Sequence, residues 1–129
     1  MAITTSMIKE LREATSMGIA DCKKALEQTD GDFDAAVKIL REKGASVAAK
    51  RASKEANEGK IEAVVTDDAQ SGAMIEVNCE TDFVTRNEDF QAFVEELKGE
   101  ALNFESNQMA EGVKDKVEAK MASIGEKIQ

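Results

Sequence analysis

Apolar residues recur at helical spacing from the start of the chain. Ile3, Met7, Ile8 and Leu11 fall on one face, with Thr4 or Thr5 available as a hydroxyl cap, and predict a short amphipathic helix over residues 4–14. A second helix follows, with Ser16 as its expected cap, Ile19, Cys22, Ala25 and Leu26 as its apolar stripe and the Asp30-Gly31 pair as the turn after it. The third is the clearest. Asp32 suits the N-cap, Phe33, Ala36, Val37 and Leu40 repeat at i, i+3, i+4 and i+7, and Gly44 is the expected left-handed stop. Three such helices within residues 1–44 imply a small bundle.

Residues 45–58, ASVAAKRASKEANE, carry only Val47 as a sizeable apolar group and read as a helical extension and linker. Beyond Gly59 the period changes from helical to alternating. Ile61, Ala63 and Val65 are expected to share one side of a strand and, after the DDAQSG turn, Ala73, Ile75, Val77 and Cys79 one side of the next, giving a β-hairpin. Asn87 is placed to cap a further helix whose buried stripe is Phe90, Phe93, Val94, Leu97 and Ala101. A last helix over residues 109–123 shows Ala110, Val113, Val117 and Met121 near helical intervals and stops at Gly125. The expected class is α+β, with a three-helix module over 1–44, the linker over 45–58 and a partial α/β subdomain over 59–129. Two strands alone are marginal in water, so the hairpin needs helices packed on it or another strand, and its open edge leaves pairing with a second copy open.

The full chain of 129 residues has a formal net charge of −9. Residues 1–58 balance 10 basic against 10 acidic groups, so all the excess acidity lies in the second half. Such a surface argues against direct nucleic-acid binding, which draws its affinity from clustered Lys and Arg. No apolar run approaches the roughly 18 residues of a membrane span, so no membrane partner is expected. Histidine is absent. The commonest general base and metal ligand go with it, and no phosphate-cradling glycine loop or nucleophile beside a base replaces them. The expectation is therefore no enzyme, no catalytic residue, no metal site and no cofactor. Cys22 and Cys79 belong to no Cys-x-x-Cys motif, and each lies on an apolar stripe, which suits buried packing in a reducing, cytoplasmic compartment.

Two segments are candidates for recognition. Met17-Gly18-Ile19 joins the first two helices and is followed by Asp21-Cys22-Lys23-Lys24. It serves either as interhelix packing or as a contact patch, and ubiquitin-associated domains resemble this arrangement with an aromatic residue where Ile19 stands. The second is Asn78-Cys79-Glu80-Thr81-Asp82-Phe83-Val84-Thr85-Arg86-Asn87, at a strand-to-helix junction. Here an aromatic ring beside a carboxylate forms a wedge for a partner's pocket, or else Phe83 folds onto its own core while Asp82 caps the next helix. The chemistry of the residues leaves both readings open.

At these residues the sequence resembles the elongation factor Ts family, the guanine-nucleotide exchange factors of elongation factor Tu. The stretches are IKELREATSMGIADCKKAL with DGDFDAAVKILREKG, and IEVNCETDFVTRN with DFQAFVEEL. The resemblance implies a ubiquitin-associated-like first module, and exchange through Thr81, Asp82, Phe83 and Val84. Phe83 would insert between helices of the partner's nucleotide-binding domain, Asp82 would support the intrusion, and magnesium would be displaced. Arg12, Ile19 and Lys23 would contact that same domain. Ser16 stands where the family usually has Gly and Thr85 where Ala is common; both are small enough to keep the loops feasible. The chain ends at SIGEKIQ, near where the first subdomain would receive a further strand, so the resemblance implies a truncated form without the carboxyl-terminal subdomain and with reduced activity. The alternative is an elongation factor Tu binding module or competitor without exchange activity.

Overall fold

The Thr4 hydroxyl accepts a hydrogen bond from the Met7 amide at 3.2 Å and starts α1, Thr5–Thr15. In this computed structural model, which describes residues 2–129, α1 is followed by α2, Ile19–Gln28, and α3, Phe33–Arg51. Asp32 caps α3 through the Ala35 amide at 3.0 Å, as its position predicts. Ser16 does not cap α2. It closes α1 instead, adopting the left-handed conformation (φ 60°) while its amide bonds to the Arg12 carbonyl at 2.8 Å, and Gly18 takes the N-cap position of α2 without a side-chain bond.

Gly44 does not stop the third helix either. It is a buried residue inside α3, and a Cβ there would lie 3.3 Å from the carbonyl carbon of Glu118 and 3.5 Å from the Ala119 amide nitrogen. Glycine lets two helix backbones meet closely at this point, and that contact outweighs its poor helix propensity. The helix it meets is α7, Lys114–Ile124. Residues Asp115–Gly125 form one compact unit with the chain up to Ala52. The core of this unit contains Leu11, Met17, Cys22, Ala25, Leu26, Ala36, Leu40 and Ala119, ringed by Ile3, Met7, Ile8, Phe33, Val37, Ile39 and Ala122. Arg51 at the end of α3 donates from Nη2 to the Gly125 carbonyl at 2.5 Å, and Gly125 (φ 87°) ends α7 where the sequence predicts a stop.

The second unit comprises Ser53–Lys114 and Glu126–Gln129. Strands β1, Glu58–Val65, and β2, Gly72–Cys79, form the antiparallel hairpin. Helix α4, Asp82–Thr85, a capped α5, Glu88–Glu100, a 3-10 turn at Ala101–Asn103 and α6, Met109–Gly112, follow. The expected helix over 109–123 is thus two helices with Val113 between them, and the Phe104 ring fills the space that a side chain at Gly112 would need. Helix α5 lies across both strands and buries Phe90, Phe93, Val94 and Leu97 of the predicted stripe, while Ala101, its last predicted member, is buried in the 3-10 turn that follows.

The facing of β1 corrects the expectation. Val77 and Cys79 of β2 are buried and Ala73 and Ile75 partly so, but their cross-strand partners are Lys60, Glu58, Val64 and Glu62 respectively. Ile61, Ala63 and Val65 therefore lie on the outer face with Met74, and all four are exposed. The six-residue turn sets Val65 opposite Gly72, and in a strand a one-position change of register reverses every side chain. Glu62, on the inner face, is instead held by Lys60 Nζ at 2.9 Å and Lys98 Nζ of α5 at 3.9 Å.

No helix among the described residues is long and apolar enough to cross a membrane. The architecture is α+β, helical in the first unit and a helix-covered hairpin in the second.

Candidate functional site

Strand β2 ends at Cys79, and within two residues the chain turns into α4. Thr81 makes that turn. Its backbone is extended (φ −126°, ψ 154°), its hydroxyl accepts from the Val84 amide at 3.4 Å, and its carbonyl accepts from the Thr85 amide at 3.3 Å. A threonine at the N-cap thus satisfies one of the helix's orphan N–H groups. The Cys79 thiol below donates to the Thr81 carbonyl at 3.3 Å and shares a hydrogen bond of 3.3 Å with the Thr85 hydroxyl. Burial pushes the Cys79 thiol above its ordinary pKa, so it stays protonated and can keep donating.

From the other end, Asn87 receives the chain. Its amide bonds to the Val84 carbonyl at 3.0 Å and its Oδ1 accepts from the Asp89 and Phe90 amides at 2.8 and 3.3 Å, starting α5. The four-residue turn is therefore tied at both ends to buried structure. Thr81 and Val84 are half-buried and face that structure. Asp82 is exposed and pairs with Arg86 one turn on, Oδ2 to Nη2 at 3.3 Å, while the Phe83 ring is 79% exposed. Phe83 does not fold onto its own core, and Thr81, not Asp82, is the cap.

The amino-terminal candidates lie in the other compact unit. Met17 is 1% exposed and packs in the core, whereas Ile19, two residues on, is 58% exposed at the first position of α2. Lys23 is four residues further along and shares that face, with its ammonium 3.8 Å from Glu27. Arg12 is exposed in the last turn of α1. In the Met17-Gly18-Ile19 segment one apolar side chain thus anchors the loop and the other faces solvent.

Sequence reasoning missed two residues at the turn that carries Phe83. Arg86 was legible, because it stands four positions after Asp82 in helical register. Glu126 was not. It reaches the turn from 45 residues downstream, and nothing in the local sequence signals it. Among the described residues, no group of three or more His, Cys, Asp or Glu is placed to hold a metal ion.

No family model matches the chain. Individual proteins do. The elongation factor Ts of Chloroherpeton thalassium is 45% identical over 140 residues, covering 98% of this chain and 48% of its own length. That of Hydrogenovibrio crunogenus is 54% identical over 97 residues, covering 75% of this chain and 33% of its own. That of Thioalkalivibrio sulfidiphilus is 41% identical over 138 residues, covering 100% and 47%. The chain spans a third to a half of the length of these curated relatives. Together with the ubiquitin-associated-like start and the α+β organisation, this similarity identifies the chain, over the length it matches, as belonging to the elongation factor Ts family.

Proposed function

We propose that the chain is a translation elongation factor that promotes GDP release from elongation factor Tu in the cytoplasm. Phe83 enters between helices of the partner's nucleotide-binding domain, Asp82 supports the intrusion, and the magnesium that bridges the bound phosphates is displaced. Thr81 and Val84 hold the turn. Arg12, Ile19 and Lys23 contact the same domain. The observation that carries this reading is the 79% exposure of Phe83 on a turn fixed at both ends. A large ring left mostly in water on a hydrogen-bonded turn contributes little to its own fold and is available to a partner's pocket.

Exchange requires tighter binding to the nucleotide-free partner than to the loaded one, and reciprocity makes nucleotide weaken the hold equally. Burying a Phe ring supplies about 1.5–3 kcal/mol, whereas inverting a 1:99 population needs roughly 5.5 kcal/mol. Phe83 therefore works together with lost magnesium coordination and the amino-terminal contacts. These contacts engage one domain of the partner, so the acceleration is expected to be partial.

The test is release of fluorescent GDP from loaded elongation factor Tu, which should accelerate with this protein and lose most of that acceleration with Phe83→Ala. Equal rates with and without the protein would reject exchange. Capture of the partner with unchanged release would instead support a binding module or competitor.

A further inference from the structure

A ring that is 79% exposed has little packing of its own to aim it, so the direction of Phe83 is set mainly by the backbone that carries it. That backbone is held by Glu126. Its Oε1 accepts from the amides of Glu80 and Thr81 at 3.1 and 3.0 Å, and its Oε2 accepts from the Thr81 hydroxyl at 2.7 Å. The two amides lie just past the end of β2, beyond its terminal pair of Cys79 with Glu58. One carboxylate thus satisfies three donors at the root of the turn. The same Thr81 hydroxyl that donates to Glu126 accepts from the Val84 amide, so Glu126 fixes the rotamer in which Thr81 caps α4.

Glu126 is itself seated. The Lys127 amide donates to Glu80 Oε1 at 2.7 Å, reversing the direction of the Glu126 bond, and Asn78 and Gln129 exchange two backbone bonds of 2.8 and 3.1 Å. Residues 126–129 are therefore laid along the end of β2, with Ile128 buried.

We infer that Glu126 is a positioning residue of the exchange element, orienting Phe83 and Asp82 through its grip on Glu80 and Thr81. The inference rests on the exchange reading above and names a residue that reading does not contain. Charge-assisted bonds to a carboxylate are the stronger kind, and displacing a reacting group slightly is enough to lose much of a rate.

In the fluorescent-GDP release assay, Glu126→Ala in the full chain should lower the limiting release rate by roughly tenfold, a typical cost of lost charged hydrogen bonds. The protein concentration giving half the effect should change little, since Arg12, Ile19 and Lys23 are untouched. Glu126→Gln, which keeps an oxygen for the two amides but not for the hydroxyl, should fall between. Amide hydrogen exchange should quicken at Glu80 and Thr81 in Glu126→Ala while Phe93 and Leu97 of α5 stay protected. Lost protection in α5 for both variants would overturn the inference, making Glu126 a general support of the fold. Unchanged release and unchanged amide exchange in Glu126→Ala, with Phe83→Ala still slow, would overturn it alone. If Phe83→Ala releases GDP at the unsubstituted rate, the exchange reading fails and the positioning role toward it fails too, whereas the Thr81 amide still reports whether Glu126 holds the turn.

Discussion

Phe83 and Phe90 stand seven positions apart and on opposite sides of the solvent boundary: the first is 79% exposed and the second 0%. Asn87 lies between them, ending the turn that carries one ring outward and starting the helix that carries the other inward. The pair separates a ring that holds the fold from the ring to which the proposed function assigns a partner. Phe90→Ala should cost about 3–5 kcal/mol of stability, as large cavities in packed cores do. Phe83→Ala should change stability by no more than about 0.5 kcal/mol, the usual range for surface positions. Urea unfolding of both variants checks the contrast.

Ser16 adopts a left-handed backbone (φ 60°) at the end of α1. That conformation costs a residue with a Cβ about 1–2 kcal/mol and glycine almost nothing, while glycine costs more chain entropy on folding. Ser16→Gly is therefore expected to raise stability by about 0.5–1 kcal/mol, measured as a higher urea midpoint with an unchanged slope.

Gly44 sits where α3 meets the backbone of Glu118. Gly44→Ala gains helix propensity of about 0.8–1.0 kcal/mol, which offsets the tight contact and leaves stability nearly unchanged. Gly44→Leu has no such room and should lose about 1–3 kcal/mol by overpacking. Thermal unfolding of the two variants separates close approach from simple helix preference.

The ion-pair cluster of Lys60, Glu62, Glu95 and Lys98 makes the hairpin's stability depend on pH. The Glu62 carboxyl is held below its ordinary pKa, first by the hydrogen bond from Lys60 and then by the charges of Lys60 and Lys98. Its contribution is present above the unfolded value and lost as pH falls through the folded one. Lys98 is raised, chiefly by its bond to Glu95, so its share is present below the unfolded value and lost as pH rises through the folded one. Glu62→Gln should melt earlier than the unsubstituted chain at pH 7, and the gap should close below about pH 4. Melting curves across that range decide it.

Helical order was legible wherever one apolar stripe had one partner surface: the stripe on α5, the Asp32 and Asn87 caps and the Gly125 stop follow from local spacing. Gly44 misled because glycine reads as a stop locally, while its reason is a helix that arrives more than 70 residues later in the chain. The facing of β1 misled because Ile61, Ala63 and Val65 alternate correctly, yet which face turns inward is set by the cross-strand register. The candidate turn itself lay open in the sequence as an aromatic beside a carboxylate. Its support from Glu126 did not, since contact across 45 residues leaves no periodic trace.

Cys79 is roofed by the very turn that carries Phe83, and its sulfur is bonded to Thr81 and Thr85. A thiol-seeking reagent can reach that sulfur only when the roof lifts, and its raised pKa keeps it unreactive until then. The molecule therefore carries its own stopwatch for the breathing of this segment, with the buried Cys22 of the other unit as an internal standard.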